Sequence, residues 1–113
     1  MEFPCLLKHA ARIGRGMPDH HPELQALRSL RNKHLRSRPD GETWILRYRA
    51  SSEKLIALID SMPNAAAHYE LILRELLDPL KRRCRKDPEG ALALGLATFE
   101  RLERHYLRNK NRA

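Results

Sequence analysis

Cys5 and His9 stand four residues apart, so on a helix they share a face and could offer sulfur and nitrogen to one metal ion, with His20 or His21 completing the set. Zinc takes four such ligands, or three and a water. The chain holds two Cys among 113 residues and no second closely spaced pair of the Cys-x-x-Cys kind, so the expectation is a buried thiol beside a surface histidine, with no metal and no cofactor. Cys84 stands in a different setting, within Lys81, Arg82, Arg83, Arg85 and Lys86, a cationic surround that could activate a thiol as a nucleophile or towards oxidation. A nucleophilic enzyme also needs a positioned base, and no pattern singles one out from the six scattered histidines. Gly-rich phosphate loops, His-Glu-x-x-His pairs and paired catalytic carboxylates are missing from the sequence. No catalytic residue is therefore expected, and the chain reads as a protein that binds rather than reacts.

Charge is the more informative chemistry. Lys and Arg number 22 against 14 Asp and Glu, a formal net charge of +8. It is unevenly spread. Residues 1–27 are neutral, 28–49 carry +5 (seven basic, two acidic), 50–78 carry −3 (two basic, five acidic) and 79–113 carry +6 (ten basic, four acidic). Arg28, Arg31, Lys33, Arg36 and Arg38, with Lys81, Arg82, Arg83, Arg85 and Lys86, could together grip phosphates, which points to nucleic acid or to an acidic protein face as partner. Aromatic residues are 5% of the chain, and Trp44 and Tyr48 read as core anchors rather than stacking platforms, which argues against reading single strands by base. The competing reading is that these cations are solvated flanks paired with the acidic middle segment of the same or another subunit.

Helices must position these groups. The chain has no Val and five Ile, while Leu and Ala dominate, a composition that favours helix over strand. A first helix is predicted over 4–13, with Leu6, Leu7, Ala10 and Ala11 as its stripe and Gly14 and Gly16 as its stop. Pro22 and Glu23 open a second, running to about Arg36. Pro39-Asp40-Gly41 is a turn, after which Trp44, Ile45 and Tyr48 suit a helix or a short strand; helix is the reading. Ser51 or Ser52 is expected to kink the chain and cap a fourth helix bearing Leu55, Ile56, Leu58 and Ile59, ended by Met62-Pro63-Asn64. Asn64 could cap a core-rich helix that ends or bends at Asp78, because Pro79 lacks an amide donor and disfavours helix at the residue before it. His68 reads as a partly buried packing residue, and Glu70 and Glu75 as a solvated face, with Glu70 able to pair with Arg74. A last helix, opened by Asp87 and Pro88, carries the clearest stripe: Leu92, Leu96, Phe99, Leu102 and Tyr106. The polar tail 109–113 is expected to fray.

In order of parts the chain resembles the module named after its Cys-Phe-Ile (CFI) box, which occurs at the C-termini of bacterial proteins or as short free-standing proteins. The likeness spans about residues 5–80: a Cys near the start, the Pro18-Asp19-His20-His21-Pro22 turn, the Leu-Arg-x-Leu-Arg helix from Leu27 to Arg31, a Gly, the Arg-Tyr-Arg stretch, then Ser and an apolar helix. It departs where Leu6-Leu7 stands for Phe-Ile, and where Lys8-His9-Ala10-Ala11 stands for a run of small residues. The resemblance implies a bacterial accessory module and no particular reaction.

The sequence thus predicts one all-α domain over 1–113, a bundle of about five helices. No apolar run approaches the roughly 18 residues that cross a bilayer and the N-terminus lacks a long apolar signal region, so no membrane is expected and the cytoplasm is the expected compartment. Pairing of apolar faces into a homodimer is a further expectation.

Overall fold

The computed structural model describes residues 5–108. Its helices are α1 (Leu6–Arg15), α2 (Pro22–Leu30), α3 (Gly41–Asp60), α4 (Ala65–Ile72), α5 (Asp78–Arg83) and α6 (Pro88–Glu103). Wide π turns prolong α2 over Arg31–Leu35 and α6 over Arg104–Arg108, and a third, Leu73–Leu77, joins α4 to α5 without a break. There are thus five helical rods and, among the described residues, no strand: the fold is the expected all-α bundle. The tail 109–113, for which fraying was expected, lies outside the described residues.

Leu6, Leu7, Ala10 and Ala11 are all buried, as their spacing requires, and they set α1 against α4. Gly14, predicted to help stop this helix, lies inside it. A Cβ there would stand 3.3 Å from Leu73 Cδ1 and 3.4 Å from the Glu70 amide nitrogen, so the glycine serves the close approach of two helices. The stop is Gly16 alone. Its φ of 65° is the left-handed conformation that glycine adopts without penalty, and it lets the Gly16 and Met17 amides reach the Arg12 and Ala11 carbonyls.

Two predicted breaks are absent. α3 runs for 20 residues straight through Ser51 and Ser52. Ser52 is fully buried, and its Oγ accepts the Leu6 amide at 3.1 Å while Tyr48 Oη accepts that of Leu7 at 3.1 Å. These amides belong to the first turn of α1, where they have no partner within the helix and Cys5 supplies no side-chain cap. Ser52 does cap a helix, but a different one from its own. The rod α4–α5 likewise continues through Asp78 and Pro79 to Arg83. A proline ring clashes with the carbonyl four residues back in a straight α-helix, and the wide turn Leu73–Leu77 directly before it moves that carbonyl aside.

Other ends behave more simply. Asp87 Oδ1 accepts the Gly90 amide at 2.9 Å and His21 Nδ1 that of Glu23 at 3.2 Å, each beside a proline in the first turn; Asn64 occupies the cap position of α4 without a side-chain bond. Gly41, which opens α3, is demanded by space, because a Cβ there would overlap the Leu35 carbonyl.

The core has two parts. The larger surrounds Tyr69 with Leu6, Leu55, Ile59, Ile72, Leu73 and Leu77, all fully buried, and takes in Phe99, Leu102 and Tyr106 from the α6 rod. The smaller joins Leu35, Ile45 and Leu92, and Trp44 touches both. Of the predicted α6 stripe only Leu96 is left half-buried. Phe99 is 3% exposed and packs on the Tyr48 ring at 5.0 Å between centroids. Phe99→Ala should therefore cost ~3–5 kcal/mol in denaturant unfolding, and a loss under about 1 kcal/mol would show that the stripe is not core. Gly14→Leu should destabilise by about 1–3 kcal/mol or more by forcing α1 off α4, whereas Ala93→Leu, at an exposed position of α6, should cost little; thermal melts of the two variants test the difference.

Candidate functional site

The ten cations singled out from the sequence do not present equally. α2 packs on α5, and the π turn after α2 packs on α6. Lys81 Nζ meets Glu23 Oε1 at 2.8 Å near the start of α2, and His34 Nδ1 meets Glu89 Oε1 at 3.4 Å near its end, so 81–89 runs beside 23–34. Lys81 is occupied by Glu23, Arg83 by Asp87 at 3.1 Å, and Arg36 stands 4.0 Å from Glu42. Lys33, Arg82, Arg85 and Lys86 are exposed and form no ion pair among the described residues. Arg38 is held bidentately by Asp40 at 2.9 and 3.0 Å. Arg28 and Arg31 are half-buried and line a cavity instead.

That cavity, which sequence reasoning missed, has a volume of about 590 Å³ and lies between α2, α3 and α6, where the two parts of the core face each other. Leu27, Trp44, Leu76, Leu80, Leu96 and Phe99 belong to its apolar lining. Gly95 lets α6 press on Leu80, since a Cβ there would stand 3.0 Å from Leu80 Cδ2. The charged lining comprises Lys8, Arg28, Arg31 and Arg49 against the single carboxylate of Asp19. Lys8 pairs with Asp19 at 3.1 Å, Arg28 Nη1 donates to the Asp19 carbonyl at 2.7 Å, and Arg31 Nε donates to Asn32 Oδ1 at 3.2 Å. One signal could have revealed it: Leu24, Leu27, Arg28 and Arg31 stand at helical positions i, i+3, i+4 and i+7, a single face that passes from leucine to arginine.

Cys5 and His9 do not converge on a metal. Cys5 Sγ lies 3.2 Å from Tyr48 Oη on the cavity wall, whereas His9 Nε2 lies 3.0 Å from Asp60 Oδ1. His21 caps α2 and His20 is exposed. Among the described residues no group of three or more His, Cys, Asp or Glu could hold a metal ion. Cys84 is half-buried against the main core, with Sγ 3.7 Å from the Lys81 carbonyl, and both cysteines are free thiols.

Four carboxylates of the acidic middle segment are engaged by residues other than the basic flank's. Arg15 grips Glu70 (2.9 Å from Nε) and Asp78 (2.9 Å from each Nη), Arg101 meets Glu75 at 3.3 Å, and Asp60 accepts both His9 and the Tyr69 hydroxyl. Glu70 also meets Arg74 at 3.6 Å, so the predicted pair exists as the minor partner of a residue that faces Arg15. His68 is half-buried and its Nδ1 lies 2.7 Å from Tyr106 Oη, which is the predicted packing role. Hydrogen bonds from Arg15 hold the carboxyls of Asp78 and Glu70 below their ordinary range and push the guanidinium upward. A carboxyl lowered in the folded state adds stability above its unfolded value of about 4 and loses it as pH falls through the folded value. Wild-type stability should therefore drop on acidification below about pH 4, and Arg15→Met, less stable at neutral pH, should show a shallower drop; equal acid profiles of the two melting temperatures would refute the linkage.

Comparison with family models, with curated proteins and with solved structures finds no match. Among the described residues no helix is long and apolar enough to cross a membrane.

Proposed function

We propose that this protein binds a polyanion of the nucleic-acid type through the flank made by α2, its π turn and residues 81–86, and that it acts by binding rather than by catalysis. One observation carries the reading: Lys33, Arg82, Arg85 and Lys86 are exposed without ion pairs among the described residues, while carboxylates of the acidic segment are occupied by Arg15, Arg74, Arg101 and His9. Internal neutralisation therefore leaves this flank charged. Its recognition is of phosphate rather than of base. Arg47 covers the Trp44 ring at 4.7 Å and Tyr48 Oη is engaged by Cys5 and Leu7, so neither ring offers a stacking platform.

Phosphate neutralisation releases counterions, so duplex binding should fall with log salt at a slope of roughly −0.9 per phosphate neutralised. In gel-shift titrations of mixed DNA and RNA over a salt range, the triple change Arg82→Gln, Arg83→Gln, Arg85→Gln should flatten that slope by roughly one for each phosphate that the variant leaves unneutralised. Its melting temperature should hardly move, because exposed charges contribute little to folding. No salt-sensitive binding of wild type to duplex or single strand at low ionic strength would overturn the proposal. An adaptor that docks an acidic protein surface would then take its place.

A further inference from the structure

We infer that the cavity between α2, α3 and α6 is a binding site for a long-chain carboxylate, its apolar chain seated on Leu80 and Phe99 and its head held by Arg28 and Arg31. The inference goes beyond the polyanion reading and concerns a different face of α2. Volume selects the class of occupant. Small-molecule sites are clefts of roughly 300–1,000 Å³ lined by apolar side chains with a few convergent polar groups, and the cavity, at about 590 Å³, is of that kind.

Charge selects the head group. The lining bears four cations and one carboxylate, and that carboxylate faces Lys8. Arg28 and Arg31, three residues apart on one face of α2, form no ion pair among the described residues. Each guanidinium carries five donors in a planar fork suited to a carboxylate, and the hydrogen bonds described above engage one nitrogen of each. Apolar and cationic groups share one face of α2: Leu24 and Leu27 with Arg28 and Arg31.

cis-Parinaric acid, a fluorescent long-chain carboxylate, is the probe. Wild-type protein should enhance its fluorescence saturably at one equivalent per chain, and its uncharged methyl ester should bind about tenfold or more weakly. Arg28→Gln with Arg31→Gln should weaken the acid by about the same factor and leave the ester unchanged. Arg82→Gln, Arg83→Gln, Arg85→Gln should leave both unchanged, which separates this site from the polyanion flank. Because Cys5 lines the cavity and Cys84 does not, bound parinarate should slow alkylation of Cys5 by iodoacetamide and spare Cys84, read by peptide mass spectrometry. That measurement and the ester comparison use wild-type protein and decide the matter even if the double variant misfolds. Equal affinity for acid and ester, unprotected Cys5, or no uptake of parinarate would each overturn the inference. Uptake of an acidic amphipathic peptide in place of parinarate would overturn it in favour of a protein partner, and a concentration-dependent dimer that excludes parinarate in favour of a second copy.

Discussion

The backbones of α1 and α4 can meet because Ala10, Ala11 and Gly14 put almost no side chain between them, and much of the molecule follows from that approach. It sets Arg15, in the last turn of α1, within reach of Glu70 on α4 and Asp78 at the start of α5. Asp78 precedes a proline, a position that disfavours helix, yet its backbone is helical (φ −63°, ψ −45°) while both its oxygens are bound by Arg15. The wide turn before Pro79 removes the steric conflict and the guanidinium anchors the junction. The rod then reaches Arg83 and carries Lys81 to Glu23, which lays the second basic segment beside the first. A run of small residues near the N-terminus thus decides where charges seventy positions away come to lie.

The same crossing leaves the opposite side open. α3 is tied to α1 through Ser52 and Tyr48, to the neighbourhood of α4 through Asp60 and Tyr69, and to α6 through Arg47 and Ser51 on Glu103. α2 is fixed at its start by Lys81 and at its end by the π turn against α6. The α2 rod, α3 and α6 meet at the smaller core of Leu35, Ile45 and Leu92 and leave a cleft between it and the larger one. The core divides, and Trp44 bridges its parts at the cavity edge. An apolar chain seated in this half-open cleft would gain dispersion contacts with its lining.

What the sequence revealed and what it hid divide along the distance of the deciding partner. The α1 stripe, the start of α2 at Pro22, the start of α6 at Asp87 and Pro88 and the stripe from Leu92 to Tyr106 depend on periodicity and on local caps, and all were legible. Ser52 was not, because a serine beside another serine looks like a cap for the residues that follow; its actual partner, the Leu6 amide, lies 46 positions away. Pro79 misleads for the same reason. Propensity disfavours Asp78 in a helix, and the Arg15 bond 63 positions distant overrides it. Gly14 looks like a breaker although its role is steric, and no local rule shows which neighbour presses on a glycine.

The charge map was legible as totals and hidden as allocation. Counting along the chain sets a −3 segment between two basic ones and suggests mutual cancellation, yet Glu70 and Asp78 go to Arg15, from the neutral N-terminal segment, and Glu75 to Arg101, on the far half of α6. Pairing follows helix geometry rather than proximity in sequence: an arginine at the end of α1 faces the α4–α5 junction, while Arg82, Arg85 and Lys86 leave the same rod where it meets solvent. The helix face of α2 makes the second allocation. Because Arg28 and Arg31 share the stripe of Leu24 and Leu27, folding turns them inward to the cavity, while Lys33 and Arg36 remain outside. The four basic residues from Arg28 to Arg36 are thereby split between two surfaces by helical periodicity, two on an apolar pocket and two on the open flank.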